Sequence, residues 1–121
     1  MPDDGKVIVW MGTALDDLRD FPKSARQDAG FQLEQVQLGF DPDDWKPMPD
    51  VGMGTREIRV KTEDGAFRIF YVTKFGDEVY VLHSFTKKTE KTEKKDIDRG
   101  ARMYRDAKAL YEREKREGRG A

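Results

Sequence analysis

The run AFRIFYVT, residues 66–73, decides the fold together with the run EVYVLHSF, residues 78–85. Apart from Arg68, both faces of the first run are apolar, which is typical of a central strand. Before it, residues 56–61 alternate polar and apolar side chains, as a half-buried strand does. The links between the three runs are too short for parallel crossovers, so we predict an antiparallel meander.

The residues before the meander predict one strand and a helical hairpin. Residues 6–10 are rich in strand formers, and Thr13 is placed to cap a helix over residues 14–19. A second helix is predicted from Pro22 to Gly39, because apolar residues recur along it at spacings of three and four. These residues are Ala29, Leu33, Val36 and Phe40. We expect the two helices to close as a hairpin over one face of the sheet.

Residues 41–55 contain three prolines and two glycines, which predicts a loop without regular structure. Trp45 and Met48 can pack this loop against the core. Alternatively, the loop is a contact surface for a partner.

A last helix is predicted after the meander, with Thr92 as its candidate N-cap. One face of this helix is formed by Ile97, Ala101, Tyr104, Lys108 and Tyr111. Residues 112–121 are expected to fray. The predicted order is βααβββα, in a single α+β domain over residues 1–121, with an antiparallel sheet packed by the helical hairpin and the C-terminal helix.

The distribution of charge is more informative than its sum. The 121 residues carry 23 basic and 24 acidic side chains, a net charge of −1, so bulk charge does not indicate a nucleic-acid-binding protein. Five lysines nevertheless crowd into nine positions, at Lys87, Lys88, Lys91, Lys94 and Lys95. We therefore predict that one end of the molecule is basic.

The chain has no cysteine and one histidine, which excludes disulfides, thiol catalysis and cysteine-based zinc sites. We accordingly predict no metal and no cofactor. No apolar run is long enough for a signal peptide or a membrane span, so we expect a cytoplasmic protein that does not contact membranes.

Arg68 and His83 are candidate functional residues with structural alternatives. A guanidinium in a central strand needs either a carboxylate such as Glu57 or an opening to a cleft where it can bind phosphate. His83 shares a strand side with Val79, Val81 and Phe85 in strict alternation, so it is either a core residue or a proton shuttle beside the lysines.

Four stretches together resemble the HigB-like, phage-derived branch of the RelE/ParE toxin superfamily. They are IVWMG…LDDLRDFP, GFDPDDWKPMPDVGMGTREIRV, GAFRIFYVTKF and VYVLHSFTKKTEKT, within residues 6–111. The resemblance implies a RelE-like fold and the toxin of a type II toxin–antitoxin system, an endoribonuclease that cleaves mRNA on the ribosome without a metal. The implied partners are the ribosome, mRNA and a cognate antitoxin with a helix-turn-helix DNA-binding fold.

The resemblance also implies roles for single residues. In this superfamily the ribose 2′-hydroxyl attacks the adjacent phosphorus, and the implied catalytic residues are Arg68, His83, Lys87 and Lys88. The implied RNA-binding residues are Arg59, Tyr71, Lys74, Lys91 and Lys95. Tyr71 has a second interpretation, since its alternation with Phe67 and Ile69 also predicts core packing.

Two other functions remain open at this point. A ParE-like gyrase inhibitor has the same fold but binds a protein and needs no cluster of histidine and lysines. A non-catalytic, phage-derived protein-interaction module would use the fold only to bind a partner.

Overall fold

A five-stranded sheet in the order β1-β5-β4-β3-β2 lies at the centre of the computed structural model, which describes residues 5–118. Helices α1 and α2 cover one face and α3 covers part of the other. The elements are β1 (Ile8–Trp10), α1 (Ala14–Arg19), α2 (Lys23–Gln37), β2 (Trp45–Pro47), β3 (Arg56–Thr62), β4 (Gly65–Val72), β5 (Val79–Lys87) and α3 (Lys94–Arg116).

The predicted meander is confirmed, since β3, β4 and β5 pair antiparallel in sequence order. Strand β1 joins the other side of β5 in parallel, with Ile8 opposite Val79. The α+β class predicted from the sequence is therefore confirmed, and the sheet is antiparallel except at this one edge.

The sheet separates two apolar cores, because its central strands are apolar on both faces. The core under the hairpin contains Ala25, Ala29, Leu33, Val36, Ile58, Val60, Phe67 and Ile69. The core under α3 contains Phe70, Val72, Tyr80, Leu82, Phe85 and Ala107, with Ile97, Tyr104 and Tyr111 packed against it. The helical hairpin and the last helix thus pack against the sheet, as their hydrophobic periodicity predicts.

Four details of the prediction were wrong. The segment at residues 41–55 is not wholly irregular, because Trp45–Pro47 forms the edge strand β2 beside β3. Phe40 is 61% exposed, since α2 ends at Gln37. The last helix is capped at Glu93 rather than Thr92, and it continues to Arg116 instead of fraying from residue 112. Residues 119–121 of the predicted tail lie outside the described part of the chain.

An irregularity in β5 changes which face its side chains occupy. Phe70 is opposite His83 and the next residue, Tyr71, is opposite Val81, so Leu82 is an extra residue in β5. His83 and Phe85 therefore lie on the α3 face, whereas Val79 and Val81 pack under the hairpin. The prediction that His83 shares a side with those two valines was wrong because strict alternation does not include this bulge.

Within residues 5–118, no helix combines the length and the apolar character needed to cross a membrane. The cytoplasmic location stays a prediction.

Candidate functional site

Three strands bring cationic side chains together on the α3 face of the sheet. Arg59 of β3 is directly opposite Arg68 of β4, and Arg68 is opposite Phe85 of β5. Lys87, two residues beyond Phe85, is opposite Ala66. Because side chains alternate along a strand, Arg68, Ala66 and Lys87 share one face. The register thus assembles three of the predicted site residues.

Lys46 is a fourth cation that the sequence analysis missed. Strand β2 places Lys46 opposite Glu57, and Glu57 is opposite Phe70 on the α3 face. The only available signal was the Trp-Lys-Pro run at residues 45–47, which is too short to predict a strand by alternation. We refer to Lys46, Arg59, Arg68 and Lys87, grouped around Glu57, as the sheet-face cluster.

Glu57 provides the negative charge at the middle of the sheet-face cluster. Its side chain is fully buried, and its Oε1 lies 3.7 Å from Nε of Arg68 and 3.8 Å from Nε of Arg59. Its Oε2 accepts a hydrogen bond from the Thr92 hydroxyl over 2.8 Å. The predicted pairing of Arg68 with a carboxylate is therefore present, as a long ion pair rather than a hydrogen bond.

The two guanidinium groups keep part of their hydrogen-bonding capacity. Nε of Arg59 and Nε of Arg68 are buried beside Glu57 without a hydrogen-bond partner among residues 5–118, so a ligand can reach only the terminal nitrogens. One terminal nitrogen of Arg68 donates to the Phe67 carbonyl over 3.0 Å. The Arg68 side chain is 12% exposed, so it is not sealed into the core. Like charges opposite each other repel, and Glu57 offsets that repulsion. The cluster is thus suited to an anionic ligand that the remaining donors can bind.

The electrostatic environment lowers the pKa of two members of the cluster. Burial lowers the pKa of Arg68, and the charge of Glu57 opposes this effect. Burial, and then the charge of Arg68, lower the pKa of Lys87, whose Nζ donates a hydrogen bond to the Glu90 carbonyl. An ammonium group with a lowered pKa transfers a proton more readily near neutral pH, while a guanidinium remains a permanent cation.

His83 lies against the first turn of α3 and is not part of the sheet-face cluster. Its Nε2 lies 2.8 Å from Oδ1 of Asp96 in the first turn of α3, and its ring stacks on Phe85 at a centroid distance of 4.8 Å. Burial lowers the pKa of His83 below 6.5, although Asp96 opposes this shift. The other charges that act on it are Arg99 and Asp17, not members of the cluster. Its geometry is that of a satisfied, mostly buried histidine.

The other predicted lysines divide among several surfaces. Lys88 is exposed beyond the end of β5, and Lys91 lines a cavity of about 310 Å³ together with Lys46 and Thr92. Lys95 lines a different cavity, beside His83. Lys91 therefore adjoins the sheet-face cluster, whereas Lys95 does not.

Two predicted RNA-binding residues are not positioned for that role. Tyr71 is 2% exposed and belongs to the core under the hairpin, on the opposite face of the sheet from Arg68. Its hydroxyl accepts a hydrogen bond from Arg56 over 3.4 Å, and burial raises its pKa. Lys74 follows the other end of β4 and lies beside Gly54, about 20 Å along the chain from Arg68 at ~3.3 Å per residue. Both assignments are corrected accordingly.

The prediction that Trp45 and Met48 pack the loop against the core is largely confirmed. Met48 is 7% exposed in the core under α3, and Trp45 is half-buried beneath the Arg56 guanidinium, 3.8 Å from its ring centre. Among residues 5–118, no three histidine or carboxylate side chains are grouped so that they could hold a metal ion.

Comparison with known proteins gives one family. The model of the family described as phage derived protein Gp49-like (DUF891) matches residues 16–105, which is 90 of the 121 residues and includes the whole sheet-face cluster. That family is part of the RelE/HigB-like toxin superfamily. A search of curated proteins finds no match.

Proposed function

Since the chain belongs to the Gp49-like family of phage-derived proteins, we propose that it is the toxin of a toxin–antitoxin pair and that it cleaves mRNA at the sheet-face cluster. The observation that carries this proposal is the convergence of four cations from four strands around a single buried carboxylate. Such an excess of positive charge on a sheet face favours a phosphodiester over an uncharged ligand.

The proposed reaction is cleavage by the neighbouring ribose hydroxyl. The 2′-oxygen loses its proton and forms a bond to phosphorus, the bond from phosphorus to the 5′-oxygen breaks, and that oxygen gains a proton. The products are a 2′,3′-cyclic phosphate and a 5′-hydroxyl. Negative charge develops on the phosphorane oxygens in the transition state, where Arg59 and Arg68 would donate hydrogen bonds from their terminal nitrogens.

Lys87 fits the proton-transfer step better than His83 does. Its pKa is lowered by burial and by Arg68, and it belongs to the same cluster as the two arginines. Nε2 of His83 is already engaged by Asp96, and Phe85 lies opposite Arg68 next to the histidine ring. We therefore assign proton transfer to Lys87 and a positioning role to His83, through Asp96 and the start of α3.

Ribosome dependence and the antitoxin are part of the same proposal. A net charge of −1 provides little general attraction to RNA, so a ribosome that holds mRNA in a fixed conformation would supply the missing positioning. An antitoxin would suppress cleavage by covering the sheet-face cluster or by displacing α3, whose first turn is bonded to the sheet through Asp96.

Mapping mRNA ends in cells that express the chain tests the proposal. For the wild type we expect new 5′ ends at fixed positions within codons, together with growth arrest. The Arg68→Gln variant should cleave mRNA about 10²–10³-fold more slowly and should therefore let the cells grow. Arg113→Gln, an exposed residue in the last turns of α3, is the control and should cleave normally. Growth arrest with intact transcripts would instead indicate a gyrase inhibitor or an interaction module and would refute the RNA cleavage.

A further inference from the structure

A second cationic surface lies between α3 and β5, outside the sheet-face cluster. It is a groove of about 590 Å³ whose base is the His83–Asp96 pair. Lys95, Arg99, Arg102 and Arg105 provide its positive charge. We refer to this surface as the helix groove.

The two carboxylates that line the helix groove are already bound by other groups. Asp96 is held by His83 at 2.8 Å, and Asp98 is held by Lys94 at 2.8 Å. Among residues 5–118, Lys95, Arg102 and Arg105 have no hydrogen-bond or ion-pair partner. The groove therefore has an excess of cations that no acidic group of the described chain neutralises.

The side chains of the helix groove are partly fixed in place. Arg99 donates a hydrogen bond to the Thr13 hydroxyl over 2.9 Å, which joins α3 to the residue preceding α1. Arg99, Arg102 and Arg105 follow each other at intervals of three residues, so their α-carbons advance by about 4.5 Å at each step along the helix axis. A ligand with regularly repeated negative charges can therefore contact several of them at once.

We propose that the helix groove binds the phosphate backbone of folded RNA, separately from the sheet-face cluster. Three of its four cations are arginines, whose planar forks bind phosphate oxygens in pairs. This inference rests on the proposed function, since it adds a second contact with the same class of target. Two cationic surfaces would allow a protein with a net charge of −1 to bind RNA. Both surfaces flank the start of α3, and the acidic residues in each of them are already paired with cations or with His83.

Two matched double variants of the full chain test the inference. The first is Arg102→Gln with Arg105→Gln, in the groove. The second is Arg113→Gln with Arg116→Gln, which has the same spacing, the same helix and the same change in charge outside the groove. The probe is a short fluorescent RNA hairpin made of 2′-O-methyl nucleotides, which cannot be cleaved by 2′-hydroxyl attack. Affinity is measured by fluorescence anisotropy over a range of salt concentrations.

We expect the groove variant to bind at least tenfold more weakly at low salt and to lower the salt slope of log affinity by about 1.5, since each lost phosphate contact contributes about 0.7–0.9. The affinity of the control double variant for the hairpin should stay within twofold of the wild-type affinity. Equal losses in both double variants, or no loss in either, would overturn the inference. The inference would also be overturned if a polyglutamate peptide bound as tightly as the hairpin and lost as much affinity in the groove variant. The groove would then be a site for an acidic protein.

The Arg68→Gln variant separates this inference from the proposed function. Its binding of the hairpin should remain as sensitive to the loss of Arg102 and Arg105 as that of the wild type, even though it cleaves mRNA about 10²–10³-fold more slowly. If the wild type binds the hairpin through the groove but does not cleave transcripts, the proposed reaction fails while the groove remains an RNA-binding site. Circular dichroism of each variant checks that the fold is retained.

Discussion

Thr92 donates a hydrogen bond to Glu57 over 2.8 Å and thereby connects the segment before α3 to the buried carboxylate of the sheet-face cluster. The two residues are 35 positions apart in the chain. Because Oε1 of Glu57 has only long ion pairs with Arg59 and Arg68, the hydroxyl of Thr92 is the one hydrogen-bond donor to this carboxylate among residues 5–118. The start of α3 and the cluster are thus parts of one structure.

Replacing Thr92 by valine should therefore destabilise the protein. The change keeps the side-chain shape but leaves one oxygen of the buried Glu57 carboxylate without a donor, at a cost of about 1–3 kcal/mol in the free energy of unfolding. Urea denaturation measures the change. Thr89→Val is the control, because the Thr89 hydroxyl is exposed and bonds only to the nearby Lys91 carbonyl, so its loss should cost under about 0.5 kcal/mol. Equal losses in both variants would contradict the role of Glu57.

The neighbouring lysines Lys87 and Lys88 should differ in their importance for cleavage. Lys87→Gln is expected to slow RNA cleavage by about 10²–10⁴-fold, because it removes a proton-transfer group and a cation from the sheet-face cluster. Lys88→Gln should change the rate by less than about threefold, since Lys88 is exposed beyond β5. Single-turnover cleavage of a defined mRNA on ribosomes provides the measurement. A larger effect at Lys88 would reverse the assignment.

The His83–Asp96 pair should make stability depend on pH. Burial holds the pKa of folded His83 below 6.5, so the unfolded chain takes up the histidine proton first as the pH falls. The free energy of unfolding should decrease from pH 6.5 down to the folded pKa and then level off. The charges facing the imidazole are Asp96, Asp17 and Arg99.

The His83→Gln variant isolates this contribution, because His83 is the only histidine in the chain. Urea denaturation of both proteins at several pH values should show a smaller slope for the variant below pH 6.5. Identical slopes would mean that the protonation of His83 is not linked to folding.

Two glycines in helices should respond oppositely to alanine. A Cβ at Gly100 of α3 would lie 2.6 Å from the Phe70 ring and 3.1 Å from Val51, so Gly100→Ala should cost about 1–3 kcal/mol through overpacking. A Cβ at Gly30 of α2 would meet nothing within 4 Å, and Gly30→Ala should stabilise by about 0.5–1 kcal/mol through helix propensity. Thermal unfolding tests both, and stabilisation by Gly100→Ala would show that α3 can move away from the sheet.

The predictions from sequence were accurate where local pattern and tertiary structure agree. The meander, both long helices and the two faces of β4 follow from hydrophobic periodicity and short links. Strand β2 was not predictable in this way, because its three residues, the last of which is Pro47, become a strand only through pairing with β3. Lys46 was missed for the same reason.

The candidate site was predictable in residue type but not in grouping. Arg59, Arg68 and Lys87 meet because of strand register, whereas Lys88, Lys91 and Lys95 lie on several different surfaces. The partner of His83 was not predictable, since its bond to Asp96 depends on how α3 lies over the sheet. Thr92 fits the pattern of a helix cap, yet its hydroxyl bonds to Glu57 instead.

The extra residue Leu82 makes one position of β5 dispensable for the layout of the site. Deleting Leu82 would keep every charged residue of the chain and also the face that each one occupies, because Val81 opposite Tyr71 and His83 opposite Phe70 would become consecutive pairs of a regular ladder. Lys87 would stay beside Arg68, and only the Leu82 side chain would be lost from the core under α3. A survey of point substitutions would not reveal this tolerance, whereas a single-codon deletion would.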